Sequence, residues 1–314
     1  MARRQARLIA AMALGFAAIA WAPAAFAEVK AKVEAPATYI AGSGMPVRVE
    51  LTADAQGDSI PAWMFGTAAF SVDGKALGDR GSAEVKLAPN QRIVIEVDLG
   101  PALEGTKAAS EKGFKLAYGN EKATEVACKT AAKKGLNFLE MPVEELKNYQ
   151  VLLRTNRGPM LVDFWPDVAP NHVRNFLDLA YTGFYDGTQF HRVSPTFMIQ
   201  GGDPNTKSGN PATWGTGNGP RTLKREFSSK THARGVLSMA RGPSEDSASS
   251  QFFIITAPSP FLDGKYSAFG ELVEGFPALD TIAKAQGQAG PDGTVKPSQP
   301  QKIEAAIVLV KGGK

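Results

Sequence analysis

With one cysteine in 314 residues, Cys128 has no partner for an internal disulfide, so stability must come from buried apolar surface. Histidine is almost as scarce. His172, His191 and His232 are the only three, and no carboxylates at ligand spacing accompany them, which argues against a metal centre. The His-Glu-x-x-His run of metalloproteases is absent, as are the phosphate loop ending in Gly-Lys-Ser/Thr and the Gly-x-Ser-x-Gly elbow of serine hydrolases. The glycine cluster GTGNGP at 215–220 lacks the third glycine at the offset a dinucleotide site needs, and reads as a loop. No cofactor is implied.

Charge of one sign is also missing once the first residues are set apart. Residues 1–27 begin with Arg3, Arg4 and Arg7, continue through an apolar run from Leu8 to Ala22, and finish on Ala25-Phe26-Ala27. This is the layout of a secretory signal peptide cut after Ala27. The run falls short of the roughly 20 residues a membrane span needs, and Arg3-Arg4 leaves the export route open. Removing this leader takes 35 basic side chains to 32 against 31 acidic ones. Such a balance gives no reason to expect nucleic acid or anionic membrane as a partner. No second long apolar run follows, so no stable membrane insertion is expected after removal. The expected location is the periplasm, with full secretion as the alternative.

What is present divides into two halves, for which 43% hydrophobic residues supply enough core. Residues 28–140 hold short alternating runs, VKAKV at 29–33, VRVEL at 47–51 and IVIEVDL at 93–99, the period-two signal of strands. Asp73-Gly74 falls where a tight hairpin turn belongs. These features predict a small antiparallel β-sandwich, immunoglobulin-like in pattern, whose role is structural or a docking site for a further protein partner. Trp63, Met64 and Phe65 read as core. The stretch 129–148 mixes lysines, Gly135 and Pro142 and reads as the junction, with 141–148 as linker.

Residues 149–314 form the second half. YQVLLRTNRGPMLVDFW reads as a strand pair turning at Asn156-Arg157-Gly158. Val173, Phe176, Leu177 and Ala180 fall at i, i+3, i+4 and i+7 and predict an amphipathic helix opening after Pro170. A second helix is expected in 276–286 and a final strand in KIEAAIVLV. Within this half stands FHRVSPTFMIQGGDP at 190–204, a set with no evident nucleophile.

That stretch, followed in order by GVLSMARG and SSQFFIITAPSPFLDGKYSAFGEL, resembles the cyclophilin family of peptidyl-prolyl isomerases. APNHVRNFLDLAYTGFYDGTQFHRV and GTGNGP with its following REF are similar to bacterial members, and the likeness runs from about Tyr149 to Val310. The resemblance implies a mainly β domain, a closed eight-stranded antiparallel barrel capped by two helices. It also implies catalysis that needs no nucleophile. Rotation about an X-Pro bond is opposed by amide resonance, a barrier of about 18–20 kcal/mol. A catalyst has only to grip the twisted amide more tightly than either planar form.

By the same resemblance, Arg192 is the donor to the prolyl nitrogen, Gln200 holds that arginine and the substrate backbone, and His191 supports the site without proton transfer. Phe197, Met198, Phe253 and Leu262 match the residues that seat the proline ring, while Ala240 and Gln251 match positions lining the peptide groove. The chain departs from common members at Phe261, where tryptophan is frequent and its N–H serves cyclosporin, so weak drug binding is expected. Tyr266 replaces a histidine beside the proline pocket, and Arg241 stands where asparagine is common. The implied substrates are proline-containing segments of exported polypeptides. Two competing functions are a proline-peptide binding module or chaperone with incidental turnover, and a scaffold acting through its front domain.

Overall fold

The computed structural model describes residues 18–23, 29–104, 106, 113–119, 126–131 and 136–311. Most of the leader therefore lies outside the described residues. The chain divides into two compact units, Met1–Gly135 with Leu309–Lys314, and Leu136–Val308.

In the first unit, alternation produces strands where the runs predicted them, at Lys30–Ala35, Pro46–Thr52 and Arg92–Asp98. They pair antiparallel in one sheet with Ala18–Pro23 at its edge, against Lys30–Ala35. A second sheet runs in the order Thr38–Ile40, Val126–Ala131, Phe114–Tyr118, Phe70–Val72, Lys75–Ala76. Asp73 (φ 47°) and Gly74 (φ 82°) make the tight turn between the last two, both in the left-handed region that this hairpin requires. Residues from both sheets, among them Val33, Val49, Leu51, Phe70, Leu116 and Tyr118, share one buried cluster. Met64 is buried in it, with Trp63 and Phe65 packed against it.

The second sheet is not purely antiparallel, because Lys129–Ala131 lies parallel to Thr38–Ile40. A parallel pair needs a long crossover rather than a hairpin, and here nearly the whole unit is the crossover. The exposed Lys129 in this strand, and the lysines that follow it in the sequence, make it read as the start of a junction. Cys128 sits in it, buried, and burial pushes its thiol up to about 12, so it carries little reactive thiolate.

The second unit holds strands β1 (Tyr149–Thr155), β2 (Gly158–Phe164), β3 (Arg192–Val193), β4 (Met198–Gly201) and β5 (Val236–Met239). They are followed by β6 (Phe252–Ile255), β7 (Ala268–Glu274), β8 (Gly287–Ala289), β9 (Val295–Pro297) and β10 (Ile303–Val310). Ten strands thus form one sheet in the order β8-β9-β3-β4-β6-β5-β7-β2-β1-β10. The count exceeds the expected eight because β8 and β9 pair as a hairpin added beside β3. Backbone hydrogen bonds also join residues 187–190, ahead of β3, to residues 301–303, where β10 begins.

Helix α1 (Pro170–Tyr181) opens on proline, whose missing N–H costs nothing at a first turn, and buries Val173, Phe176, Leu177 and Ala180 as their spacing requires. Phe176 meets Phe164, Tyr185, Phe252 and Phe269 at ring distances of 4.9–5.5 Å, the aromatic centre of the unit. Helix α2 (Phe276–Ala283) starts after Gly275, held at φ 95°, and is shorter than the predicted 276–286. The stretch read as a linker packs within this unit. Phe138 is buried with its ring 5.0 Å from Tyr149 and 5.4 Å from Tyr181, and Val143–Leu146 forms one helical turn with Leu146 buried.

Candidate active site

Strand pairing turns the FHRVSPTFMIQ run into one surface. β3 and β4 set Arg192 opposite Gln200, and β4 and β6 set Gln200 opposite Phe253. Directly opposed residues share a face, so these three side chains line up across three strands, with Met198 two positions before Gln200 on the same side.

The guanidinium of Arg192 is held on three sides. Its Nη1 donates to Gln200 Oε1 at 2.9 Å, Nε donates to Thr294 Oγ1 at 3.2 Å, and Nη2 donates to Asp292 Oδ2. Thr294 Oγ1 in turn donates to Asp292 Oδ1 at 2.6 Å. These bonds to Thr294 first, and then the guanidinium, hold the Asp292 carboxyl down at about 2, so it is ionised throughout the neutral range. Gln200 continues the row, its Nε2 donating to Gln251 Oε1 at 2.9 Å. Gln251 Nε2 donates to Gly215 O at 3.0 Å and Gly217 O at 2.8 Å. Each amide is thereby fixed in orientation.

Beside this polar row lies an apolar floor. Met198, Phe253 and Leu262 are buried in one cluster, with Phe197, Ala240 and Tyr266 partly buried against it. The Arg192 guanidinium carbon is 5.8 Å from the centre of the Phe197 ring, and the edge of Tyr266 meets Phe253 at 5.7 Å. Phe261 lies outside the buried cluster. It is 61% exposed and stands 5.4 Å from the Phe197 ring, at the rim. His191, one residue before Arg192, is buried beside Gly215. Burial lowers its pKa, opposed in part by the Asp203 charge, so the ring is neutral near pH 7.

Asp292 and Thr294 escape sequence reasoning, because a Gly-Pro-Asp-Gly turn looks like any loop. Only the pairing of Val193 with Val295 brings them across 100 residues to Arg192. The placement of Arg241 against the Tyr266 ring, at 4.7 Å, carried no sequence signal either.

Residues 150–308 match the family model described as cyclophilin type peptidyl-prolyl cis-trans isomerase/CLD. The chain is 40% identical over 167 residues to "Peptidyl-prolyl cis-trans isomerase ppi1" of Schizosaccharomyces pombe, covering 51% of this chain and 98% of that protein. The chain belongs to the cyclophilin-type peptidyl-prolyl cis-trans isomerases. A second relative of this cyclophilin, the "Probable peptidyl-prolyl cis-trans isomerase" of Brucella abortus, is 41% identical over 166 residues, covering 50% of this chain and 81% of the relative. Among solved structures, a Cryptosporidium parvum cyclophilin crystallised in the presence of the dipeptide Ala-Pro is 29% identical. The match covers 52% of this chain and 99% of that one, with a TM-score of 0.45. All the residues of the row and floor lie inside the matched segment of this cyclophilin, and its first unit lies outside it. Among the described residues, no cluster of histidine, cysteine and carboxylates could hold a metal ion, and no helix is long and apolar enough to cross a membrane.

Proposed function

We propose that this cyclophilin isomerises X-Pro bonds in exported polypeptides, with Arg192 stabilising the twisted amide. The observation that carries the reading is a permanently charged guanidinium, fixed by three contacts, at the edge of an apolar floor made by Phe197, Met198, Phe253 and Leu262. A proline ring on that floor places its nitrogen next to Arg192. In either planar form the nitrogen lone pair is tied up in resonance and accepts poorly. At the twisted midpoint the pair is released, and a donor already aimed at it bonds most strongly then. The apolar floor keeps the local dielectric low, which strengthens the same interaction. Gln200 and Gln251 present amide groups to the substrate backbone, Ala240 leaves room for it, and Tyr266 and Phe261 flank the ring. His191 serves as neutral packing behind the strand.

Asp292 and Thr294 are positioning residues in this scheme, since they act only through the guanidinium. The hydrogen bonds between 187–190 and 301–303 support reading eight of the ten strands as a closed barrel, with the β8–β9 hairpin outside it. Two sheets over one core support an immunoglobulin-like reading of the first unit. The leader at 1–27 supports export to the periplasm.

The test is a proline-peptide isomerisation assay. Arg192→Ala is expected to lower kcat by roughly 10²-fold, the usual cost of losing one donor aimed at a transition state. Wild-type turnover surviving in that variant would leave a binding module with incidental turnover as the better account.

A further inference from the structure

A cavity of about 240 Å³ opens directly off the polar row, sharing Gln200 and Gln251 with it. Thr216, Asn218, Ser247, Ser249 and Arg241 complete its polar wall. No carboxylate lines it, and Arg241 is its one charged group. Among the described residues, no aspartate or glutamate forms an ion pair with Arg241. Arg192, Arg221, Arg225 and Arg234 are each paired with an aspartate or glutamate. Arg241 instead donates to the neutral carbonyls of Lys265 at 3.3 Å, Gly242 at 3.1 Å and Pro243 at 3.4 Å, and lies over the Tyr266 ring. These contacts use its donors as anchors and hold the charge in place without cancelling it.

Arg192, Gln200 and Gln251 form one hydrogen-bonded row, and the row ends at the cavity. In a substrate whose prolyl nitrogen faces Arg192, the preceding residue is bonded to that nitrogen, the ring atom nearest the row, which gives the residues before proline the shortest path along the row to the cavity.

We infer that Arg241 makes this isomerase select polypeptides bearing an aspartate or glutamate shortly before the X-Pro bond, with the carboxylate seated in the cavity. The inference rests on the isomerase reading of the same groove and adds a substrate class to it. A cation held by neutral groups in the wall of a polar cavity attracts a carboxylate and repels an ammonium, so discrimination between the two draws on both effects.

The experiment measures catalytic efficiency on a peptide series with alanine, glutamate or lysine at each of the three positions before the X-Pro bond, using the full-length protein. At one position, wild type is expected to prefer glutamate to lysine by about tenfold, less in high salt. The ratio should fall to about one in Arg241→Ala and invert in Arg241→Glu. Equal rates on glutamate and lysine peptides in wild type, or an unchanged ratio in Arg241→Ala, would overturn the inference while leaving the isomerase intact. Failure to turn over even the alanine peptide would sink the isomerase reading, and this one with it.

Discussion

The orientation of one side chain, Arg192, depends on a carboxylate 100 residues away. Asp292 is partly exposed, so its ion pair adds little to stability, and its effect should show in rate. Asp292→Ala is expected to lower kcat by about fivefold with KM nearly unchanged, and Asp292→Asn, which keeps an acceptor, to recover part of that loss. The ordinary carboxylate pKa is already below 5, and the folded value is lower still. Asp292 therefore stays charged as pH rises, and the deficit of the alanine variant should be constant from pH 5 to 8. A deficit that appears only at one end of that range would point to another titrating group. The candidate residues in the FHRVSPTFMIQ and SSQFFI runs came from the resemblance those runs carry, and the structure brings the runs together on directly paired strands. Asp292 was not legible in the sequence, since nothing in its own neighbourhood distinguishes a turn that touches an arginine from one that touches water.

At the scale of elements, the legible features were those with a strong local period. Val173, Phe176, Leu177 and Ala180 bury one face of α1, and the runs at 47–51 and 93–99 became strands because their alternation matches a half-buried sheet. The parallel pairing of Lys129–Ala131 with Thr38–Ile40 has no such period and is fixed only by distant contacts. The junction between β7 and α2 depends on one backbone angle. Gly275 is held at φ 95°, and a Cβ there would stand 2.3 Å from the Pro159 carbonyl oxygen and 2.6 Å from Met160 Cα. Both are backbone atoms that cannot step aside. Gly275→Ala is therefore expected to destabilise the second unit by about 2–4 kcal/mol. A denaturant midpoint equal to wild type would mean that the turn relaxes more easily than its geometry implies.

For the whole molecule, the second unit begins earlier than the strand pattern suggests. Phe138 and Leu146 are buried within it, so a fragment from Leu136 to Lys314 should fold and isomerise at the full-length rate. One starting at Tyr149 loses the Phe138 ring, a change that ordinarily costs about 3–5 kcal/mol, and should melt at a lower temperature. Equal melting temperatures for the two fragments would contradict that role. At the other end, Ala18–Pro23 pairs with Lys30–Ala35 in the uncleaved chain. Cleavage after Ala27 would take that edge strand away. Amino-terminal sequencing of the protein recovered outside the cytoplasm should read from Glu28, and a start at Met1 would contradict the leader.

The account stands or falls on whether Arg192 grips the bond in mid-rotation more than at rest. Exchange spectroscopy on a single X-Pro peptide reads both quantities in one sample, the affinity for the peptide and the rate at which bound peptide interconverts. With Arg192→Ala, the account predicts an affinity within a few-fold of wild type and an interconversion rate lower by roughly 10²-fold. Loss of affinity and rate in equal proportion would contradict it, because the arginine would then be holding the ground state as tightly as the twisted one.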